Sequence, residues 1–192
     1  MYISIAGNIG SGKSTIVDYL STQNIQSNIV HEPVESMNSI LNNFYTNMER
    51  WAFTLQLFVI KLYSDIIEKN RESANNLITE RSQYESHEIF AKQLKHMFTE
   101  EQTIIFEDYY KLNSKMPDCF IYIHTSPETC IRRIQMRGRK SELNISYSYI
   151  YELHNLYVNA FMNKPNVFVI NGEDSVENVQ RNVLEIINNI LC

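Results

Sequence analysis

The sequence predicts an α/β fold, a five-stranded parallel sheet with helices on both faces. The first observation behind this is the alternation of short β-branched and aromatic runs with longer stretches of helical periodicity, typical of strands joined by crossover helices. The second is a glycine-rich loop between the first such run and an apolar-periodic segment at residues 16–20. Because ligands bind at the carboxyl ends of parallel strands, the residues that follow each strand become the candidate functional residues.

The elements follow in order along the chain. Strands are predicted at residues 2–6, 28–31, 76–79, 119–123 and 167–170. Helices are predicted after the first loop and at residues 48–69, around 90–97, and at 100–112, 127–137, 148–161 and 176–190. Only short polar stretches are expected between Pro33 and Met48. At Thr125-Ser126-Pro127-Glu128 a capping hydroxyl, a proline in the first turn and Glu128, placed for a capping box, predict a helix start.

The first loop matches G-x-x-x-x-G-K-[ST], the phosphate-binding loop. Its residues are Gly7, Asn8, Ile9, Gly10, Ser11, Gly12, Lys13, Ser14 and Thr15. Backbone N–H groups and the positive end of the following helix would hold a phosphate chain. Lys13 would reach the β- and γ-phosphates, and the Ser14 hydroxyl would hold Mg²⁺. A glycine-rich turn that matches by chance is the alternative, but the strand, Lys13 and Ser14 around it favour nucleotide binding.

The composition of the chain limits the classes of protein to which it can belong. At 192 residues, with 44% hydrophobic and 20% charged residues, the chain suits one globular domain over residues 1–192. A net charge of −5 argues against a general nucleic-acid binder, and no apolar run is long enough for a membrane span. The three scattered cysteines form neither a disulfide framework nor a metal-site spacing. We therefore expect a cytoplasmic protein without nucleic-acid or membrane partners, and no signal peptide before the first strand.

Two carboxylates follow predicted strands. Glu32 is a candidate general base for an acceptor hydroxyl, although a surface carboxylate is the ordinary interpretation of such a residue. Glu80 is placed to hold Mg²⁺, and Arg81 to brace the base or to contact phosphate. A local ion pair is the alternative for Glu80 and Arg81.

Arginines are concentrated in one segment of this acidic chain. Half of the eight arginines, Arg132, Arg133, Arg137 and Arg139, fall within eight residues. Phosphoryl transfer needs cations that neutralise charge on the phosphate oxygens, and guanidinium groups suit that task. A solvated basic face is the competing interpretation, and the phosphate loop makes it the weaker one.

Gln56 is a polar residue in an apolar stretch that runs from Trp51 to Ile60. A buried amide must find hydrogen-bond partners, and an amide offers both a donor and an acceptor to the edge of a nucleobase. A position on an exposed helix stripe is an equally good explanation from the sequence alone.

Together these motifs make the chain resemble the deoxynucleoside kinase family. The matching segments are the phosphate loop, Glu32-Pro33-Val34, Phe44-Tyr45, Gln56, Glu80-Arg81-Ser82, Thr125-Ser126-Pro127-Glu128, the stretch 137–142 and the stretch 149–154. They cover nearly the whole chain in the order found in the family. The resemblance implies ATP-dependent phosphorylation of the 5′-hydroxyl of a deoxyribonucleoside, with Mg²⁺ and ATP as the phosphoryl donor. It also implies a phosphate-loop kinase fold and a homodimer, in line with the all-round apolar segment from Trp51 to Ile67.

The resemblance also implies roles for individual residues. Glu32 matches the carboxylate at the substrate 5′-hydroxyl, Arg81 its partner, and Glu80 the acidic residue near Mg²⁺. Gln56 matches the amide that pairs with the base and Phe90 the ring that stacks on it. Tyr45 and Glu142 match the pair that holds the 3′-hydroxyl, and Phe44, Val59 and Ser86 also fall in the expected substrate site. Arg133, Arg137 and Arg139 match arginines of a lid at residues 132–147 that closes on the ATP phosphates, and Glu173-Asp174 loosely matches an adenine-side loop.

Three departures from the family pattern concern the base. Met37 stands where the family usually has a tryptophan, Tyr63 replaces a methionine or arginine, and Ser86 replaces an aspartate or alanine. Relatives that prefer deoxycytidine carry an arginine and an aspartate at positions 63 and 86. The absence of this charged pair favours thymidine and deoxycytidine as substrates, with thymidine slightly preferred. Alternatives are a nucleoside monophosphate kinase and a GTP-binding switch. The first would want more cations at the acceptor site, and the second usually carries D-x-x-G and N-K-x-D motifs that this chain lacks.

Overall fold

The computed structural model describes residues 1–71, 76–139, 142 and 145–191 of the chain. These residues divide into two compact units. The sheet unit comprises the described parts of 1–32, 76–81 and 117–191, and the helical unit comprises 33–71 and 82–116. The single domain expected from the sequence stays a prediction.

The sheet unit is built on five parallel strands, which confirms the predicted fold class. The strands are β1 (Tyr2–Ala6), β2 (Ser27–Val30), β3 (Asn76–Glu80), β4 (Cys119–His124) and β5 (Val167–Asn171). Their order across the sheet is β2-β3-β1-β4-β5. In the register, Ile5 of β1 lies opposite Glu80 on one side and Ile121 on the other. The segments that follow β1, β2, β3 and β4 therefore leave the sheet at the same edge.

Helices connect the strands and fill the helical unit. They are α1 (Lys13–Ser21), α2 (Val34–Thr46), α3 (Met48–Arg71), a composite helix α4 over 83–97, α5 (Glu100–Asn113), α6 (Pro127–Arg137), α7 (Tyr147–Phe161) and α8 (Val176–Leu191). The composite helix changes its winding along its length: an α turn Gln83–Glu85, a π turn Ser86–Ala91, an α turn Lys92–Leu94 and a 3-10 turn Lys95–Met97. None of the described helices is both long and apolar enough to cross a membrane.

Side chains of the interior strand β4 alternate between two apolar layers, as the strand period requires. Ile121 and Ile123 are buried with Val17 of α1 and Val183 of α8 on one face. On the other face, Tyr122 stacks against Tyr157 and Phe161 of α7, and Phe120 meets Phe161 edge to face. Both faces of the sheet are therefore covered by helices, which is why its strands are nearly continuous in apolar residues.

The helical unit has its own apolar core. Phe44 of α2 packs with Ala52 and Leu55 of α3 and with Leu94 of the composite helix α4. Ile60, Ala91 and Phe106 form a second buried cluster that includes α5. Some apolar residues of α3 are thus buried in these two clusters, while others, such as Phe58 and Leu62, are only half-buried.

Two local predictions were wrong. The polar stretch expected after Pro33 is the helix α2, because Met37, Ile40, Leu41 and Phe44 follow the i, i+3, i+4, i+7 pattern and face the core. Glu128 forms no capping box, because Ser126 is the N-cap of α6 and accepts from the Thr129 N–H, which places Thr129 at the third helical position. Among the described helices, α5 has a capping box, in which Thr99 and Gln102 bond reciprocally.

The two described cysteines are core thiols. Cys119 and Cys130 are free and buried. Burial raises the pKa of each thiol to about 11, with the nearby Asp118 charge adding to the effect at Cys119. Cys192 lies outside the described residues.

Candidate active site

The phosphate loop runs between β1 and α1 with backbone angles that only glycine tolerates well. Gly10 has φ of 80°, and a Cβ atom there would lie 2.5 Å from the carbonyl oxygen of Cys130. Gly12 has φ of 101° and is the N-cap residue of α1. These glycines let the loop fold tightly over α6 while its N–H groups stay on the side of the helix start.

Polar side chains of the loop hold its shape. The Asn8 amide donates to the Ile150 carbonyl at 2.9 Å and its oxygen accepts from the Ile9 N–H at 2.8 Å. The buried ammonium of Lys13 donates to the Asn8 carbonyl at 2.8 Å. The buried Ser11 hydroxyl has no hydrogen-bond partner among the described residues. Thr15 is exposed at the start of α1. A loop with a buried cation and buried hydroxyl suits an anionic ligand.

Glu80 joins the end of β3 to the phosphate loop. Its Oε1 accepts from the Ser14 hydroxyl at 2.7 Å, and its Oε2 accepts from the Glu32 N–H at 3.4 Å. Mg²⁺ prefers oxygen ligands and is commonly held by one or two carboxylates together with substrate phosphates. The Ser14 hydroxyl and the Glu80 carboxylate are oxygens of this kind, so the pair fits the ion that the sequence predicts. In the described part of the chain, no group of three or more His, Cys, Asp or Glu residues forms an all-protein metal site.

Arg81 lies at the centre of a buried network that contains the predicted base. Its Nε donates to Oε2 of Glu32 at 3.1 Å, and its Nη1 donates to the Gly7 carbonyl at 3.1 Å. Nη1 also donates to the Tyr157 hydroxyl at 2.5 Å. One guanidinium therefore contacts the carboxylate after β2, the first glycine of the phosphate loop and the helix α7.

The backbone of Arg81 is held in an unusual conformation. Its φ is 65°, in the left-handed region that costs a non-glycine residue about 1–3 kcal/mol. The Arg81 N–H donates to the Ile5 carbonyl at 3.0 Å, and the Thr79 hydroxyl donates to the Arg81 carbonyl at 2.6 Å. Both contacts fix the turn after β3 and aim the side chain back across the sheet edge.

Arg133 lies beside the phosphate loop rather than extending from the helix. Its Nη1 donates to the Ser11 carbonyl at 3.1 Å and its Nη2 to the Gly172 carbonyl at 2.9 Å. The guanidinium thus joins the phosphate loop to the β5–α8 loop. Its predicted contact with ATP phosphates stays a prediction.

Glu173 fastens the same β5–α8 loop to the start of α6. It accepts from the Ser126 N–H and hydroxyl, each at 2.8 Å, and from the Thr129 hydroxyl at 2.7 Å. Burial opposes the charged form, but these hydrogen bonds and the Arg133 charge outweigh it and hold the pKa of Glu173 below its ordinary value. Glu173 is therefore ionised near neutral pH.

The two remaining lid arginines pair with the predicted substrate residue Glu142. Arg137 forms a hydrogen-bonded ion pair with Glu142, and Arg139 lies 3.6 Å from it. Arg137 and Arg139 are largely exposed at the end of α6, where Gly138 closes the helix in a left-handed conformation. Residues 140, 141, 143 and 144 of the predicted lid lie outside the described residues.

In the helical unit, Gln56 is buried and bonded. It is 3% exposed, and its Oε1 accepts from the Ser86 hydroxyl at 2.8 Å. Ser86 is 2% exposed and begins the π turn of the composite helix α4. π turns inside helices frequently mark functional sites. The interpretation of Gln56 as part of an exposed stripe is excluded by this burial.

The other predicted substrate residues differ in their surroundings. Phe44 is buried in the core and meets Tyr45 edge to face at 5.3 Å. Val59 is half-buried against the same cluster, and Phe90 is half-buried within the π turn. Phe44 is consequently a packing residue of the helical unit.

These observations define a class of protein. A phosphate loop at the carboxyl edge of a parallel sheet, with a carboxylate bonded to its serine and arginines beside it, characterises nucleotide-binding phosphotransferases.

The family model for deoxynucleoside kinases matches residues 3–192, so the chain belongs to the deoxynucleoside kinase family and is a phosphotransferase. A probable deoxycytidine kinase of fowlpox virus is 34% identical over 164 residues, which is 79% of this chain and 68% of the viral protein. The deoxyadenosine/deoxycytidine kinase of Bacillus subtilis is 30% identical over 206 residues, with 96% and 92% covered. Human deoxycytidine kinase is 30% identical over 186 residues, with 79% and 72% covered.

Solved structures of the deoxyadenosine kinase from M. mycoides share the fold. The structure with dCMP and a flexible dCDP bound has a TM-score of 0.85 at 24% identity, covering 98% of this chain and 100% of that one. The structure with bound dCTP has a TM-score of 0.81 at 26% identity, again covering 98% and 100%. Membership of a kinase family supports a nucleotide as the phosphoryl donor.

Four contacts of the site could not be predicted from the sequence. Nothing in the sequence pointed to Tyr157 as the partner of Arg81, to Ser86 as the donor to Gln56, or to the carbonyls bound by Arg133. Each contact joins residues at least 30 positions apart. Such pairs arise from the fold, and no local spacing signals them.

Proposed function

We propose that the chain transfers the γ-phosphoryl group of ATP, with Mg²⁺, to the 5′-hydroxyl of deoxycytidine and thymidine. Deoxycytidine as an acceptor is supported by the names of the fowlpox, Bacillus subtilis and human relatives. Thymidine is supported by the residues around Gln56. The candidate residues for phosphoryl transfer lie in the sheet unit, and Gln56 and Ser86, the candidates for base recognition, lie in the helical unit.

The observation that carries the proposal is that Arg81 donates hydrogen bonds both to Glu32 and to the phosphate loop. Its guanidinium binds the Glu32 carboxylate and the Gly7 carbonyl of the phosphate loop. A general base must lie close to the phosphate that its acceptor attacks. Arg81 ties these two parts of the sheet unit together with direct hydrogen bonds.

The candidate residues of the sheet unit then have distinct roles in the reaction. Glu32 accepts the proton of the 5′-hydroxyl, and Lys13 contacts the β- and γ-phosphates. Ser14 and Glu80 would hold Mg²⁺, which when bound neutralises charge on the phosphate oxygens. Arg137 and Arg139 leave Glu142 and contact the phosphates during transfer. The ion pairs of the two arginines with Glu142 keep the cations in the same segment.

Gln56 recognises the edge of the base, and Ser86 allows it to do so in two orientations. A hydroxyl can donate to the amide oxygen, as it does here, or accept from the amide nitrogen after the amide turns over. Cytosine presents an acceptor at N3 and a donor at N4, whereas thymine presents a donor at N3 and an acceptor at O4. An amide that is stable in both orientations suits both pyrimidines.

The test is an acceptor panel with γ-labelled ATP and Mg²⁺. The four deoxynucleosides and the monophosphates dCMP and dTMP are each offered, and kcat/KM is measured for each. We expect labelled monophosphate from deoxycytidine and thymidine, with kcat/KM above that of both purine nucleosides. Product from the monophosphates alone would instead indicate a nucleoside monophosphate kinase, and higher values with purines would refute the pyrimidine preference.

A further inference from the structure

We propose that Tyr157 is a positioning residue for the reaction and acts through Arg81 on the base Glu32. The inference rests on the proposed role of Glu32 and adds a residue to which nothing in the sequence or in the relatives assigns a function. Tyr157 lies near the end of α7, outside both the phosphate-loop motif and the lid segment.

The contact between Tyr157 and Arg81 is buried on both sides. Tyr157 is 0% exposed, Arg81 is 6% exposed, and the Arg81 Nη1 donates to the Tyr157 hydroxyl at 2.5 Å. A hydrogen bond to a charged group in such surroundings is stronger than one between neutral groups. The phenol oxygen therefore contributes directly to where the guanidinium rests.

Tyr157 is itself held firmly. Its ring stacks on Tyr122 of β4 at 5.9 Å with planes 7° apart, and on Phe161 one helical turn later at 5.7 Å. Tyr122 and Phe161 are also buried. A ring fixed on both sides presents its hydroxyl at one place, which makes it a rigid reference point for the arginine.

The Arg81 side chain needs such a reference. Its backbone is fixed in the left-handed conformation by Ile5 and Thr79, so the remaining freedom lies in the side-chain torsions. The Tyr157 hydroxyl and the Gly7 carbonyl both accept from Nη1, and together they set the plane of the guanidinium. That plane determines the direction of the Nε–H that reaches Glu32.

The consequence for the reaction is geometric. A general base works when its oxygen lies within hydrogen-bond reach of the proton it removes. If the guanidinium turns, the Glu32 carboxylate turns with it and meets the 5′-hydroxyl less often in a productive geometry. Tyr157 touches none of the reacting atoms, so its effect should fall on turnover rather than on binding of the donor.

The first test replaces the hydroxyl alone. Tyr157→Phe keeps the ring stack, and we expect kcat to fall about 10-fold, the order expected for losing a hydrogen bond to a charged group. The KM for ATP should stay within about twofold, because the phosphate loop is unchanged. Tyr122→Phe removes a phenol hydroxyl from the same buried stack and should leave kcat within about twofold of wild type.

A double-mutant cycle separates positioning from general packing. If Tyr157 acts through Arg81, Tyr157→Phe should cost less than about twofold in kcat once Arg81→Lys is present, because neighbouring residues in one network are not additive. Equal losses in both backgrounds, or an unchanged kcat in Tyr157→Phe, would overturn the inference. Product formation by the wild-type enzyme in the same assay tests the proposed function separately. Thermal melting of each variant shows whether a loss of kcat merely follows a loss of fold.

Discussion

The guanidinium of Arg81 donates from Nε to Oε2 of Glu32 at 3.1 Å, joining residues that are 49 positions apart in the chain. Glu32 follows β2 and Arg81 follows β3, and the two strands are neighbours in the sheet. The pairing of these strands therefore places the Glu32 carboxylate and the Arg81 guanidinium side by side at one edge of the sheet.

The first prediction concerns the base. In Glu32→Gln the amide cannot take the proton of the 5′-hydroxyl, and turnover should fall by about 10²-fold or more. ATP binding, measured by calorimetry, should stay close to wild type because the phosphate loop is intact. Glu35→Gln, an exposed carboxylate three residues later, is the matched control and should keep full turnover. Near-normal turnover in Glu32→Gln would move the role of the base to Glu80.

The second prediction concerns the arginines at the end of α6. Arg137→Ala or Arg139→Ala should lower kcat by about 10³-fold, the scale found when an arginine that stabilises transition-state charge is removed. Arg181→Ala removes an exposed arginine from α8 and serves as the control. If the lid variants lose solubility while their steady-state kinetics stay intact, the segment is a solvated basic face.

The third prediction concerns the buried pair of Ser86 and Gln56. A carboxylate at position 86 can only accept, so Ser86→Asp should hold the amide nitrogen and stabilise one orientation of Gln56. The ratio of kcat/KM for thymidine to that for deoxycytidine should then change at least about 10-fold. Ser86→Ala, which neither donates nor accepts, should lower both values together. An unchanged ratio in Ser86→Asp would show that Ser86 does not control the orientation of the amide.

The helices and strands were largely predictable because each core element carries an apolar run of its own length. The polar composition of α2 hid its pattern, since asparagine and serine surround Met37, Ile40, Leu41 and Phe44. Counting the spacing of those four residues would have found the helix. The start of α6 was harder, because Thr125 and Ser126 both carry a hydroxyl that can cap a helix, and the structure makes Ser126 the N-cap.

The candidate site was predictable only where its chemistry sits in a short motif. The phosphate loop and the Glu80-Arg81 pair are each a continuous segment of the sequence. The structure brings both segments to one edge of the sheet. The partners of Arg81 and Arg133 depend on how distant segments pack. A side chain that bonds backbone carbonyls, as Arg133 does, leaves no pattern in the sequence at all.

The fourth prediction concerns association. We expect a homodimer, and several apolar residues of α3, among them Leu57, Phe58 and Leu62, are only half-buried within the chain. Among the described residues, α5 exposes Ile104, Ile105 and Leu112, the last at 84%. Sedimentation velocity at micromolar concentration should show a dimer, and Ile104→Glu with Ile105→Glu should shift it toward monomer. A wild-type monomer under these conditions would contradict the prediction.

The central claim is that phosphate is transferred to the 5′-hydroxyl of a deoxynucleoside. The most direct measurement incubates the enzyme with γ-labelled ATP, Mg²⁺ and either thymidine or 5′-deoxythymidine, which lacks only that hydroxyl, and identifies the products by phosphorus NMR and chromatography. We predict labelled thymidine 5′-monophosphate from thymidine and no labelled nucleotide from 5′-deoxythymidine. Label on 5′-deoxythymidine, or release of inorganic phosphate alone with both nucleosides and with deoxycytidine, would contradict the account.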